Sequence, residues 1–288
     1  MDHRQLRFLV ALAQERHFGR AATRVHVTQP TLSARLKQLE EELGTPLIRR
    51  GRRFEGFTPE GQRVLRHARR ILAEFDELYA ELDPTSGPSG WLQIGLVPSA
   101  LGEVSSWVPK LRQDYPALKL RLREYTTLGL MQALNDDEID LAVGYLDVPA
   151  AEPFVAQPLY TEHYMAMADQ QVTLPAPLQW ADLAHFPLYM LTPDMQHHAY
   201  IRAQLESVGV VSESVVEADS LAILATLLHC GKAVAVMPER LISALPLQGV
   251  HSHALPPLEQ AARVGLLWKR NERQSARLRA VLKQFSVL

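Results

Sequence analysis

The sequence predicts an α/β protein with an all-α region at its N-terminus. Three observations lead there. The first eighty or so residues carry apolar stripes of helical period with cap residues between them. The segment Asp83–Gly90 is dominated by Pro, Gly and Ser with no apolar residue, the composition of a linker. Beyond it, apolar strand-like runs alternate with helical segments, as in α/β units with largely parallel sheets.

Leu6, Leu9, Val10 and Ala13 fall at i, i+3, i+4 and i+7, one face of a first helix. A short second helix spans Gly19–Val25, where small Ala21 and Ala22 let a neighbour approach. His26–Thr28 is a turn. A third helix opens at Gln29-Pro30 with Thr28 as N-cap and proline in the first turn, where its missing N–H costs nothing. Leu32, Leu36, Leu39 and Leu43 are its buried stripe, and Gly44 ends it. Arg49–Arg53 and Phe54–Phe57, with glycines between basic and aromatic residues, predict a tight two-stranded hairpin. Thr58-Pro59-Glu60 starts a fourth helix reaching Leu82.

Apolar residues along that helix, Leu65, Ala68, Leu72, Phe75, Tyr79 and Leu82, alternate spacings of three and four, the pattern of a coiled-coil seam. The reading is a homodimer seam; packing against the helix's own domain has the same periodicity and stays open.

In the second half, strands are expected at 91–97, 118–125, 139–145, 164–168, 188–191, 233–237 and 264–268. Helices are expected at 101–114, 127–136, 196–208 and 219–229.

The chain has 288 residues, which suggests about two domains. Its 47% hydrophobic content suffices for buried cores. The net charge of −2 hides an asymmetry. Residues 1–70 hold 15 Lys and Arg against 7 Asp and Glu, a net +8; the remainder holds 15 against 25, a net −10. A basic end on an acidic body points to a polyanionic partner, with chance clustering of solvated charge as the alternative. No run approaches the roughly 18 apolar residues of a membrane span, so no membrane partner is expected. The N-terminus lacks the apolar core of a signal peptide, and cytoplasmic location is the expectation. Cys230 is the sole cysteine, so no disulfide forms within one chain.

The short helix, turn and longer helix from Phe18 to Leu43 form a helix-turn-helix, which presents its second helix to the DNA major groove. Thr28, Gln29, Pro30, Thr31, Ser33 and Arg35 cluster at the N-terminal end of that helix, where base edges are reached. Gln pairs bidentately with adenine and Arg with guanine. Arg20, Arg24 and Lys37 suit phosphates. An ordinary solvated helical hairpin is the competing reading; the basic hairpin and charge weigh against it.

Four blocks in order, Phe18-Gly19-Arg20-Ala21-Ala22, Val27-Thr28-Gln29-Pro30-Thr31-Leu32-Ser33, Leu39–Leu47 and Thr58-Pro59-Glu60-Gly61, resemble the N-terminal signature of LysR-type transcriptional regulators. The similarity continues more weakly through Leu92–Gly95, Glu138–Val143 and Ala233–Pro238. It implies a winged helix-turn-helix at 1–58 and a dimerising linker helix and hinge at 59–90. It also implies an effector-binding domain at 91–288 like a periplasmic binding protein, with subdomain I at 91–160 and 266–288 and subdomain II at 161–265. Family members usually act as dimers of dimers and bend promoter DNA, so a homodimer, and a homotetramer built from it, is expected. Many members have Arg directly after the serine equivalent to Ser33; here Ala34 stands there and Arg35 follows. The wing is unusually basic. By the resemblance Arg53, with Arg50 and Arg52, reaches DNA, Arg53 in a narrow minor groove.

In such a fold a ligand sits at strand C-terminal ends near helix N-termini. Ser99 and Ala100 follow the first strand, and Thr126 and Thr127 follow the strand ending near Tyr125; the resemblance points to the same turns. Ser99 and Thr127 are read as holding an effector carboxylate or another acceptor, or else as plain helix N-caps. Thr192, Gln196 and His197 border the cleft from subdomain II. Few cations fall there, so the effector is expected to be a small neutral or monoanionic metabolite. His197-His198 are adjacent and share no helix face, which disfavours metal. Cys230 reads as structural, and His251 and His253 as solvent-facing in a strand. No Gly-x-Ser-x-Gly, His-Glu-x-x-His or phosphate-loop motif is present, and no cofactor is expected. A regulator, not an enzyme, is the reading. An α/β enzyme with an appended DNA-binding end would turn over a bound metabolite. A solute-binding transport component would have a signal sequence and no basic helix-turn-helix.

Overall fold

The computed structural model describes residues 1–288 except 51–52, 83–86, 212–213, 245–247, 271–273 and 286–288, and leaves out the side chains of Arg50, Ala80, Glu81, Ser214 and Cys230. Two compact units are present, residues 1–88 with 136–138, and residues 89–135 with 139–288.

The first unit contains α1 (His3–Glu15), α2 (Phe18–Arg24), α3 (Gln29–Leu43), β1 (Ile48–Arg50), β2 (Phe54–Phe57) and α4 (Pro59–Leu82). Asp2 and Gln5 form a capping box at the start of α1, each side chain accepting from the other's backbone N–H. His17 Nδ1 accepts from the Gly19 and Arg20 backbone N–H groups and caps α2. Thr28 Oγ1 accepts from Thr31 N at the start of α3, and Gly44, at φ 68°, ends it in the left-handed conformation expected for that cap. Thr58 Oγ1 accepts from Gly61 N at 2.9 Å and opens α4. β1 and β2 pair antiparallel, Ile48 opposite Phe57.

Leu9, Leu12, Leu32, Leu36 and Leu39 are fully buried in one core with Ala21 and Ala22. Two sequence expectations fail here. Leu43 is 39% exposed, because Gly44 turns the chain away before the last turn of α3 reaches the core. Leu65 and Ala68 belong to this same core, with Leu72 packed partly against it, so burial within their own unit takes Leu65 and Ala68 out of the expected seam. The first half of α4 thereby completes the winged unit past residue 58. Phe75, Tyr79 and Leu82 remain exposed.

The second unit contains β3 (Gly90–Leu96), α5 (Leu101–Asp114), β4 (Leu118–Glu124), α6 (Thr127–Asn135), β5 (Leu141–Tyr145), β6 (Val155–Thr161), β7 (Tyr164–Asp169), β8 (Leu188–Leu191), α7 (Gln196–Ser207), β9 (Ser214–Ala218), α8 (Leu221–Leu227), β10 (Val234–Pro238), α9 (Glu239–Ala244), β11 (Val250–Ala254), β12 (Arg263–Trp268) and α10 (Ala276–Phe285). They build two five-stranded sheets, β4-β3-β5-β12-β6 and β11-β7-β10-β8-β9. β3 runs parallel to β4 and β5, and β8 parallel to β9 and β10. β12, β7 and β11 pair antiparallel, so each sheet is mixed rather than largely parallel. β6 and β9 are strands that the apolar pattern does not predict. β6 alternates half-buried and exposed residues at a sheet edge, which leaves no apolar run to detect.

The chain leaves the first sheet after Thr161 and re-enters it at Arg263. The sheet pairing extends a residue past 160 and begins three residues before 266, because Thr161 and Arg263 pair through their backbones. Helices α5 and α9 meet backbone to backbone: a Cβ on Gly102 of α5 would lie 2.2 Å from the Arg240 carbonyl oxygen of α9. Among the described residues, no helix is long and apolar enough to cross a membrane, and no three His, Cys, Asp or Glu side chains cluster as metal ligands.

Candidate functional site: a DNA-facing helix and an effector cleft

The N-terminal end of α3 turns one face to the core and the other to solvent. Leu32 and Leu36 are buried, while Thr28, Gln29, Pro30, Thr31 and Arg35 are exposed and Ser33 is half-buried. Thr28 and Thr31 hydroxyls lie 2.8 Å apart and Arg35 donates to Gln38 at 3.1 Å, which leaves Gln29 at the tip. Arg24 pairs with Glu15 at 2.8 Å, and Lys37 with Glu41 at 3.5 Å. Exposed pairs of this kind are weak and yield readily to a phosphate. On the wing, Arg53 is exposed, whereas Arg52 and the Arg50 side chain lie outside the described residues.

In the second unit the two sheets enclose a narrow cavity. Ser99 and Thr127 border it from the first sheet's side, Gln196 and His197 from the second's, with Tyr125 and Tyr145 between. Its water-accessible part is about 10 Å³, room for about one water. Ala100, Thr126 and Thr192 are not in its wall. Ala100 is buried in the core, and Thr126 Oγ1 accepts from Gly129 N, taking the cap role that the sequence leaves open for Thr127.

Ser99 caps no helix. Its Oγ lies 3.0 Å from the Tyr145 hydroxyl, which donates to Glu162 Oε2 at 2.8 Å; Tyr164 donates to the same oxygen at 2.6 Å. A hydroxyl has one proton. With the Tyr145 proton given to Glu162, Ser99 donates to Tyr145 and turns only lone pairs to the cavity. Glu162 is 4% exposed, and burial raises its pKa above the ordinary carboxyl value. Its other oxygen, Oε1, has no partner among the described residues.

Across the cavity His197 is 4% exposed, with its ring edge against Tyr164 at 5.4 Å and neither nitrogen partnered among the described residues. Burial pushes its pKa down to about 3, so the imidazole is neutral near pH 7. Thr127 Oγ1 is likewise buried and has no partner among the described residues. Unmade buried hydrogen bonds are costly, and several around one cavity mark it for a polar guest. His251 and His253 are half-buried rather than solvent-facing. Their rings stack edge to face at 5.1 Å and His251 Nε2 lies 2.7 Å from the Val172 carbonyl oxygen.

Residues 3–62 match the family described as bacterial regulatory helix-turn-helix protein, lysR family, and residues 85–286 match the LysR substrate binding domain. The chain belongs to the LysR family of transcriptional regulators. This LysR-family chain is 33% identical over 244 residues to the DNA-binding transcriptional dual regulator OxyR of Escherichia coli K12, covering 83% of the chain and 79% of the relative. It is 37% identical over 145 residues to the regulator AlsR of Bacillus subtilis, covering 50% and 48%. Among solved structures, a full-length OxyR variant from Pseudomonas aeruginosa superposes with a TM-score of 0.73 at 24% identity, covering 98% of this chain and 95% of that one. Full-length CbnR in complex with its target DNA superposes at 0.69 and 18%, covering 98% of each. The LysR-type fold is thus an N-terminal helix-turn-helix DNA-binding domain followed by an α/β effector-binding domain of two sheets.

Sequence reasoning missed Tyr145, Glu162 and Tyr164 in this LysR-type domain. Tyr145 and Tyr164 are visible as tyrosines at the ends of apolar strands, where a buried ring needs a partner for its hydroxyl. Nothing local marks Glu162, which acquires its role from the crossover between the sheets.

Proposed function

We propose that this LysR-family regulator binds promoter DNA through Gln29, Thr31, Ser33 and Arg35 in the major groove. Thr28 and Pro30 shape the helix start, and Arg50, Arg52 and Arg53 form the wing contacts. The effector is a small neutral molecule, at most a monoanion, held between Ser99 and Thr127 on one side and Gln196 and His197 on the other. Thr192, Thr126 and Ala100 support those turns from behind. The observation carrying this reading is the convergence of Ser99, Thr127, Gln196 and His197 on one cavity with unpartnered buried polar atoms. Among the described residues no Lys or Arg lines it, His197 is neutral, and Ser99 offers lone pairs. A hydrogen-bond donor therefore fits better opposite Ser99 than a carboxylate does. The assembly is a homodimer, paired into a tetramer, through the exposed Phe75, Tyr79 and Leu82 end of α4. It works in the cytoplasm, with the DNA it reads, and regulates without turning over its effector.

The test is a thermal-shift screen of small neutral metabolites, since a ligand of the folded state raises apparent stability. A hit is then titrated against Ser99→Ala and Thr127→Ala. A lost hydrogen bond of about 1 kcal/mol predicts about fivefold weaker binding in each. Unchanged midpoints in both variants overturn the assignment of these hydroxyls.

A further inference from the structure

A second cavity lies where β6 passes into β7, bordered by Ser105, Ser106, Tyr160, Glu162, Glu239 and Ser243 among others. It measures about 730 Å³, within the range of small-molecule sites. We propose that it is a separate binding site for a small organic cation bearing a primary ammonium group, such as a linear di- or polyamine.

The serines of the wall present acceptors rather than donors. Ser105 Oγ donates to the Gly102 carbonyl at 2.9 Å, Ser106 Oγ to that of Glu103 at 2.7 Å, and Ser243 Oγ to that of Glu239 at 3.1 Å. Each serine has one proton and has used it within its own helix, so all three turn lone pairs outward. The guanidinium of the described wall, Arg240, is engaged twice. It donates to Glu103 at 2.5 Å and its Cζ lies 4.2 Å from the Tyr160 ring centroid. An incoming anion therefore meets a cation already neutralised and three serine hydroxyls already committed, which leaves the buried Tyr160 hydroxyl, unpartnered among the described residues, as a donor.

Glu162 supplies the second, independent observation. It is buried, belongs to this wall, and its Oε1 has no partner among the described residues, while Oε2 holds both Tyr145 and Tyr164. An ammonium N–H reaching Oε1 completes that carboxylate and pairs its charge. Glu239 at the rim carries no ion pair among the described residues and takes a second amine. Glu162 thus stands between two cavities, facing this one and joined through Tyr145 to Ser99 of the other.

The experiment is isothermal titration of the full chain with 1,4-diaminobutane and with tetramethylammonium. The diamine is expected to bind saturably. Tetramethylammonium, a cation with no N–H, is expected not to compete. Glu162→Gln removes the charge and is expected to weaken diamine binding about tenfold or more. Ser105→Trp changes an exposed residue at the cavity and is expected to abolish binding by filling it, which keeps the test decisive if Glu162→Gln does not fold. No heat with the diamine, equal competition by tetramethylammonium, or undiminished binding by a folded Glu162→Gln or Ser105→Trp chain overturns the proposal.

Discussion

The Tyr145 hydroxyl donates to Glu162 Oε2 at 2.8 Å, joining the C-terminal end of a first-sheet strand to the crossover that leads into the second sheet. Tyr145→Phe keeps the ring and its contact with Tyr200, 5.2 Å between centroids, and deletes only the hydroxyl. Glu162 then retains Tyr164 alone, and Ser99 loses its acceptor. The expected cost is about 1–3 kcal/mol of stability, read as a lower urea midpoint at unchanged slope. An unchanged midpoint shows the relay to be energetically idle.

His197 and Glu162 give opposite pH dependences. His197 falls to about 3 in the folded state from 6.5, so the folded chain holds fewer protons between those values. Its contribution is complete above 6.5 and is lost as pH falls toward about 3. Glu162 is raised by burial, so its contribution is complete below its ordinary 4.5 and is lost as pH rises through the folded value. His197→Phe should therefore flatten the acid limb of a urea-midpoint profile, and Glu162→Gln the limb above pH 4.5. Profiles parallel to wild type in both variants contradict the assignments.

Assembly and folding separate along α4. Leu65 is buried in the core of its own unit, whereas Tyr79 is 68% and Leu82 74% exposed. Leu65→Ala should lower stability by about 2–5 kcal/mol through the cavity it leaves. Tyr79→Glu should leave stability nearly untouched and shift full-length chain toward monomer in sedimentation velocity. Dimerisation indifferent to Tyr79→Glu and Leu82→Glu together removes the C-terminal half of α4 from the interface.

The contrast between the halves of α4 shows what could be read from sequence. Spacings of three and four mark an apolar stripe without saying whether a partner chain or the helix's own domain covers it. Caps are different: Thr28, Gly44 and Thr58 act within a few residues of chain, and the structure places all three where local chemistry put them. Ser99, Thr127, Gln196 and His197 were legible as residues at the turns and helix starts that follow strand ends. The Tyr145–Glu162–Tyr164 cluster was not, because those side chains meet only after both sheets have formed.

DNA binding should divide by residue type. Arg53→Ala is expected to weaken binding on every sequence and to reduce the log–log salt slope by about 0.9, the loss of one phosphate contact. Gln29→Ala should relax preference at one base position, at about 1–3 kcal/mol, with little change in salt slope. Fluorescence anisotropy over a salt series on specific and scrambled duplexes measures both, and identical slopes for all three proteins contradict the wing contact.

Gly102 and Arg240 touch main chain to main chain, with no room for a methyl group between them. Side chains interleave and can slide, but two abutting backbones cannot be pressed closer. That contact fixes the spacing at which α5 of one half of the effector domain meets α9 of the other. Position 102 thereby acts as a spacer of zero thickness, and even the smallest added side chain would wedge the two helices apart.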